Sequence, residues 1–174
     1  TRYRSSAASD VYKRQVASTV GLMMCHVFGV QDKRAYPFAV DLGVAMQITN
    51  IARDILEDAG RGRLYVPSTL LDTEVSCEGL AQGDDAHRSS AYQGALRILA
   101  IADEYYASAT LGYGYLPPSV RQAIKIAARL YQAIGEKVAG NQTAYWQRRT
   151  VVSTERKCLL IAGLFVQRMR EGSS

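Results

Sequence analysis

Histidine, cysteine and proline are scarce in this 174-residue sequence, which holds two, three and four of them. Cys25, Cys77 and Cys158 are odd in number and share no short spacing. That excludes a disulfide framework and a Cys-x-x-Cys metal site, and it points to a reduced, cytoplasmic protein. His26 and His87 lie away from partners at ligand spacing, so core packing is expected for His26 and a solvated loop for His87. Long apolar runs are lacking too. The longest, near 35–52 and 158–167, are too short or too polar for the ~20 apolar residues of a membrane span. No secretory signal opens the chain, and there is no internal repeat, low-complexity tract or hairpin-bounded Val/Ile/Thr alternation.

What remains is the composition of a globular domain, with 48% apolar and 21% charged residues. The net charge of +5 invites a nucleic-acid partner, but four cations (Arg2, Arg4, Lys13, Arg14) and one acid (Asp10) fall in residues 1–15. That segment has no helical or alternating pattern and is read as a non-native or disordered leader outside the fold. The rest carries only +2. Arg148, Arg149, Arg156 and Lys157 form the one basic group of note. They could touch anionic lipid, but a solvated face is the commoner role, and without interleaved aromatics they make no nucleic-acid patch.

From Val16 the pattern is helical. Residues 16–29 are almost wholly apolar and read as a buried helix. A second helix spans 37–59, with Pro37 suited to its first turn and Gly60 to its stop. A polar connection over 72–88 precedes helix 89–111, and a Gly/Pro turn over 112–118 precedes helix 119–139. A last helix covers roughly 152–170. The chain from residue 16 to 174 is thus read as a single all-α unit.

Helix 37–59 concentrates polar groups. With Asp41 at zero and about 100° per residue, Asn50, Gln47, Asp54 and Asp58 share an arc of roughly 80° on an otherwise apolar helix. Asp54 and Asp58 are neighbours one turn apart and repel unless a cation joins them. Two readings stand: a solvated face, or a Mg²⁺ site with Asn50, Asp54 and Asp58 as oxygen donors. Arg53, Arg61 and Arg63 add guanidinium forks suited to a diphosphate, so the set has the groups needed to ionise a diphosphate ester.

The full string is more specific. Gln47, Asn50, Arg53, Asp54, Glu57 and Asp58, followed by Gly62, Arg63, Tyr65 and Pro67, resemble the second aspartate-rich motif of the squalene/phytoene synthase family, QxxNIxRDxxED then GRxYxP, at every fixed position. Val16 to Met23 resembles that family's VAxxVGLM helix. Ala102 to Tyr106, Tyr115 to Pro117 and Ala128 to Ile134 are similar to its phytoene-synthase branch, bacterial members above all. The resemblance implies an all-α isoprenoid synthase fold, a helical bundle around an apolar cavity. It also implies a cytoplasmic, Mg²⁺-dependent (Mn²⁺ as alternative) transferase of carotenoid synthesis, peripheral at the inner membrane face if membrane-associated at all. Such an enzyme joins two geranylgeranyl diphosphates head to head through a cyclopropylcarbinyl diphosphate to give phytoene. Asn50, Asp54 and Asp58 would be metal ligands, with Asp54 and Asp58 catalytic. Gln47, Arg53 and Arg63 would hold diphosphate, and Tyr131 would line the substrate site. Val20, Met23, Met24 and Phe28 would wall off water, although core filler is the plainer reading for each methionine singly.

One departure matters: the family's other motif, DxxxD, is absent before residue 50. The chain therefore reads as the C-terminal part of such an enzyme, inactive alone. The alternatives are a squalene- or dehydrosqualene-type synthase using farnesyl diphosphate, and a non-catalytic assembly protein. Tyr105, Tyr106, Tyr113 and Tyr115 are expected to pack with their hydroxyls at a rim.

Overall fold

The computed structural model describes residues 19–171, so the leader reading for residues 1–15 lies outside the described residues. Among the described residues eight helices follow one another: α1 (19–27), α2 (Tyr36–Arg53), α3 (Ile55–Gly60), α4 (Cys77–Gln82), α5 (Asp85–Leu111), α6 (Pro118–Gly140), α7 (Gln142–Gln147) and α8 (Thr154–Glu171). Short 3-10 turns occupy Lys33–Ala35, Ser68–Leu70 and Tyr113–Tyr115. Among the described residues there is no strand, as the periodicity predicts. Nor is any helix long and apolar enough to cross a membrane.

The longer elements begin where local chemistry favours them. Pro37 and Pro118 stand in the first turns of α2 and α6, where a missing amide hydrogen costs nothing. Asp84 caps α5 by accepting from the amide of His87, and Ser76 caps α4 by accepting from Gly79. Both histidine expectations are corrected. His26 is exposed on α1, and His87 is half-buried in the first turn of α5, its Nδ1 2.9 Å from Asp84 Oδ1.

α2 lies along α5 and against α6, α3 packs on α4, and α8 rests on α6. The main core joins Ala52, Ile55 and Ala59 to Val66, Leu80, Tyr92, Ile98, Leu99, Val138 and Tyr145. α5 turns small residues inward, among them Ala91, Gly94, Ala95, Ala102 and Ala109, so neighbouring elements approach closely. A Cβ on Gly94 would stand 2.8 Å from Val66 Cγ1. A second cluster packs Ala45 of α2 against Ala102 and Tyr106 of α5.

Tyr106 departs from the expected rim position. It is 2% exposed, with its hydroxyl 3.0 Å from Thr49 Oγ1, while Thr49 itself donates to Ala45 O at 2.9 Å. Since the threonine proton is committed to Ala45, the tyrosine donates. Thr49→Val should therefore cost about 1–3 kcal/mol by orphaning the Tyr106 hydroxyl. Adding Tyr106→Phe should recover part of it, which denaturant unfolding of the single and double variants will show.

Helix α1 is not the buried helix its composition predicts. Only Cys25 among its large side chains is buried, while Val20, Leu22, Met23, Met24 and Val27 are exposed. Its contact with α2 is nonetheless tight, because a Cβ on Gly21 would collide with the backbone of Ala39.

Candidate diphosphate-binding site

The sequence predicts one continuous helix over 37–59, but the structure breaks it at Asp54. That residue has φ −105° and ψ 14°, separating α2 from α3. The ladder is held across the break by Asp54 N donating to Asn50 O at 2.9 Å and Asp58 N donating to Asp54 O at 2.8 Å. Adjacent residues on a regular helix do not face each other. At this bend they do: Arg53 Nε donates to Asp54 Oδ1 at 2.8 Å and Nη2 to Oδ2 at 2.6 Å.

A second guanidinium reaches the same carboxylate from the segment after α7. Arg149 Nε lies 3.1 Å from Asp54 Oδ1 and 3.5 Å from Glu57 Oε2. Arg149 keeps the solvated position expected of it, its side chain 56% exposed, and adds this pairing. Arg156 pairs with Glu136 instead, at 3.7 Å. Burial pushes the Asp54 carboxyl up, but hydrogen bonds and charge from Arg53 and Arg149 outweigh it and hold the group below its ordinary range.

The motif's Gly-Arg pair has a clear local role. Gly62 takes the left-handed conformation (φ 71°), Gly62 N donates to Ala59 O, and Arg63 N donates to Asp58 O, both at 2.9 Å. This is the reversal that closes a helix by satisfying its last carbonyls, and it needs a residue free of the Cβ penalty. It folds Arg63 back beside the Asp58 backbone with its side chain exposed. Arg61 pairs with Glu57 at 2.9 Å.

Asn50 carries the most pointed signal. Its Oδ1 is buried with no hydrogen-bond partner among the described residues, an unusual state for a good acceptor. Gln47 and Asp58 are half-buried on the same helical run. Among the described residues no three His, Cys, Asp or Glu side chains gather as a ready metal cage. Two carboxylates and an amide nevertheless suit Mg²⁺, which commonly takes only one or two protein carboxylates and keeps several waters. An acceptor left open at Asn50, four residues before Asp54, fits that ion.

Toward the N-terminal end of α2 the same face lines an apolar cavity of about 290 Å³. Phe38, Leu42 and Met46 form its α2 wall, with Val20, Met24 and Phe28 on one side and Ile124 and Tyr131 on the other. Met46 and Asn50 are one helical turn apart, so greasy wall passes into polar cluster along a single face. Tyr131 joins the two, lining the cavity and lying within electrostatic reach of Arg53. Of the four residues expected as water-excluding walls, Val20, Met24 and Phe28 line the cavity, Val20 and Met24 with an exposed side as well, and Met23 does not line it.

Sequence reasoning singled out Arg149 only as part of a basic group, not as a partner of Asp54, and it missed Tyr145, which is 5% exposed and donates to Ala52 O at 2.6 Å just before the break. Burial, with the Asp54 carboxylate and Tyr92 nearby, holds that hydroxyl protonated far above its ordinary range. Both lie more than 90 residues beyond their partners, and no local spacing signals them.

Comparison with known proteins agrees with the motif. A family model described as squalene/phytoene synthase matches residues 1–156. A 15-cis-phytoene synthase of Enterobacter agglomerans is 40% identical over 162 residues, covering 92% of this chain and 54% of that protein. One from Pantoea ananas is 40% identical over 153 residues, with coverages of 87% and 49%. One from Synechocystis sp. is 34% identical over 178 residues, with coverages of 92% and 51%. The chain spans about half the length of these curated relatives.

Proposed function

The chain belongs to the squalene/phytoene synthase family, with its all-α isoprenoid synthase fold, and from that premise we propose that the whole protein is a head-to-head prenyl transferase making phytoene from two geranylgeranyl diphosphates. One observation carries the reading: the apolar cavity of α1, α2 and α6 gives way, along one face of α2, to the Asn50, Arg53 and Asp54 cluster. A prenyl diphosphate has that same division, a hydrocarbon tail and a multiply charged anionic head. The relatives named 15-cis-phytoene synthase support the substrate class.

Each residue has a role in this chemistry. Arg53 and Arg63 bind and orient the diphosphate, Arg53 being half-buried and fixed by its fork to Asp54, and Arg63 exposed and free to follow the head group. Gln47 adds an amide donor about one turn before Asn50. Asn50 and Asp54, with Asp58 on the next turn, would hold Mg²⁺ or Mn²⁺. When bound, that ion supplies positive charge against the charge that develops on the departing diphosphate. The cavity walls Met24, Phe28, Phe38 and Met46 keep water from the allylic cation left behind. Tyr131 sits where tail meets head, its ring on the cavity side.

The deciding assay supplies the whole protein with Mg²⁺ and either C20 or C15 diphosphate, reading diphosphate release and hydrocarbon product. Phytoene from the C20 substrate is expected. A C30 hydrocarbon from the C15 substrate alone would move the reading to a squalene- or dehydrosqualene-type synthase. Release from neither would overturn catalysis and favour an assembly role.

A further inference from the structure

The bend at Asp54 originates outside α2 and α3. Residues 50–57 contain no proline or glycine that would break a helix. In an unbroken helix the Ala52 carbonyl would accept from the Leu56 amide, four residues on. Here the Tyr145 hydroxyl donates to that carbonyl at 2.6 Å. A side chain inserted into the ladder is a recognised cause of a sharp break. Tyr145 is held for the task. Its ring lies against Trp146 (centroids 4.6 Å apart) and Tyr92 (5.6 Å), and Tyr92 itself donates to the carbonyls of Val138 and Ala139 at the end of α6, 3.0 Å each. The wedge is therefore braced on α5 and α6.

We propose that Tyr145 is a positioning residue for the candidate site: its hydroxyl holds the α2–α3 break, and the break turns the Asp54 carboxylate to where Arg53, Arg149 and a divalent cation share it. This rests on the reading of Asp54 as a ligand of the prenyl transferase site. Arg149 follows Tyr145 by four residues, so the wedge and the second guanidinium arrive on one segment. Tyr145 acts through Ala52 and Asp54.

The test uses the whole protein with Tyr145→Phe, which keeps the ring and its packing and removes one hydrogen bond. Hydrogen exchange at the Leu56 amide should slow roughly tenfold as that amide regains the Ala52 carbonyl, and the Mn²⁺ Kd, read from the free-ion electron paramagnetic resonance signal, should rise by a similar factor, the scale of one net hydrogen bond. Replacing Tyr145 with 4-aminophenylalanine, which restores a donor at the same place, should return both values toward those of the parent. A purely structural Tyr145 would lower Tm and leave the Mn²⁺ Kd within twofold, and that result overturns the proposal. So does unchanged Leu56 exchange, which holds even if the parent binds no Mn²⁺ and releases no diphosphate. Those last two failures together would instead sink the enzyme reading.

Discussion

Asp54→Asn will lower diphosphate release by the whole protein about 10²–10³-fold, the usual scale for losing one charged group that stabilises a transition state. Helicity will be kept. Asparagine fills the same space and still accepts one bond, but it cannot balance two guanidiniums. Arg53, with a side chain 16% exposed, is then left short of countercharge, at a cost of about 1–3 kcal/mol. The pH dependence follows in sign. The folded carboxyl is held below its ordinary range, so its contribution is fully present above the unfolded value near ~3.9 and is lost as pH falls through the folded value. Acid unfolding of the parent should carry this step and that of Asp54→Asn should lack it. Activity within tenfold of the parent would refute the assignment of Asp54 to the metal-ligand and catalytic set.

Gly21→Ala should be among the most damaging single methyls that the described residues can take. The added carbon would meet the carbonyl oxygen and carbon of Ala39, which are backbone atoms of α2 and cannot swing aside as a side-chain tip would. Overpacking of this kind costs about 1–3 kcal/mol where neighbours can yield, and more where they cannot. Gly21 also lines the cavity between Val20 and Met24, so α1 moving off α2 opens the greasy wall. Tm should fall by several degrees, and an apolar fluorescent probe should bind more weakly. An unchanged Tm would show that α1 is not seated on α2 as described.

The sequence was most legible where chemistry is local. Pro37 and Pro118 mark the starts of α2 and α6 because ring geometry acts within one turn, and α3 stops at Gly60 as expected, the reversal itself being made two residues later at Gly62. The polar arc from Gln47 to Asp58 was visible for the same reason. Two elements escaped, α4 and α7, at six residues each, because such stretches are too short to show a 3.6-residue period. The burial of α1 was misjudged because apolar composition states what a helix prefers, and the described residues place mainly α2 and the Lys33–Ala35 and Tyr113–Tyr115 turns against it. The break at Asp54 could not be read at all. Every residue from Asn50 to Glu57 is compatible with a straight helix, and the hydroxyl that bends it comes from Tyr145.

That distance has a consequence for how the chain matures. The two contacts that finish the cluster join residues 93 and 95 positions apart, among the longest loops this sequence closes. Loop closure must be met before such contacts give anything back, so they belong to the late stage of folding. On a ribosome, α2 and α5 emerge and pair long before Tyr145 does. Until α7 docks, Asp54 lacks the Arg149 guanidinium and the Ala52 carbonyl lacks the Tyr145 hydroxyl. The carboxylate–guanidinium cluster at Asp54 is thus completed only by residues 145–149, and its assembly belongs to a late stage of folding.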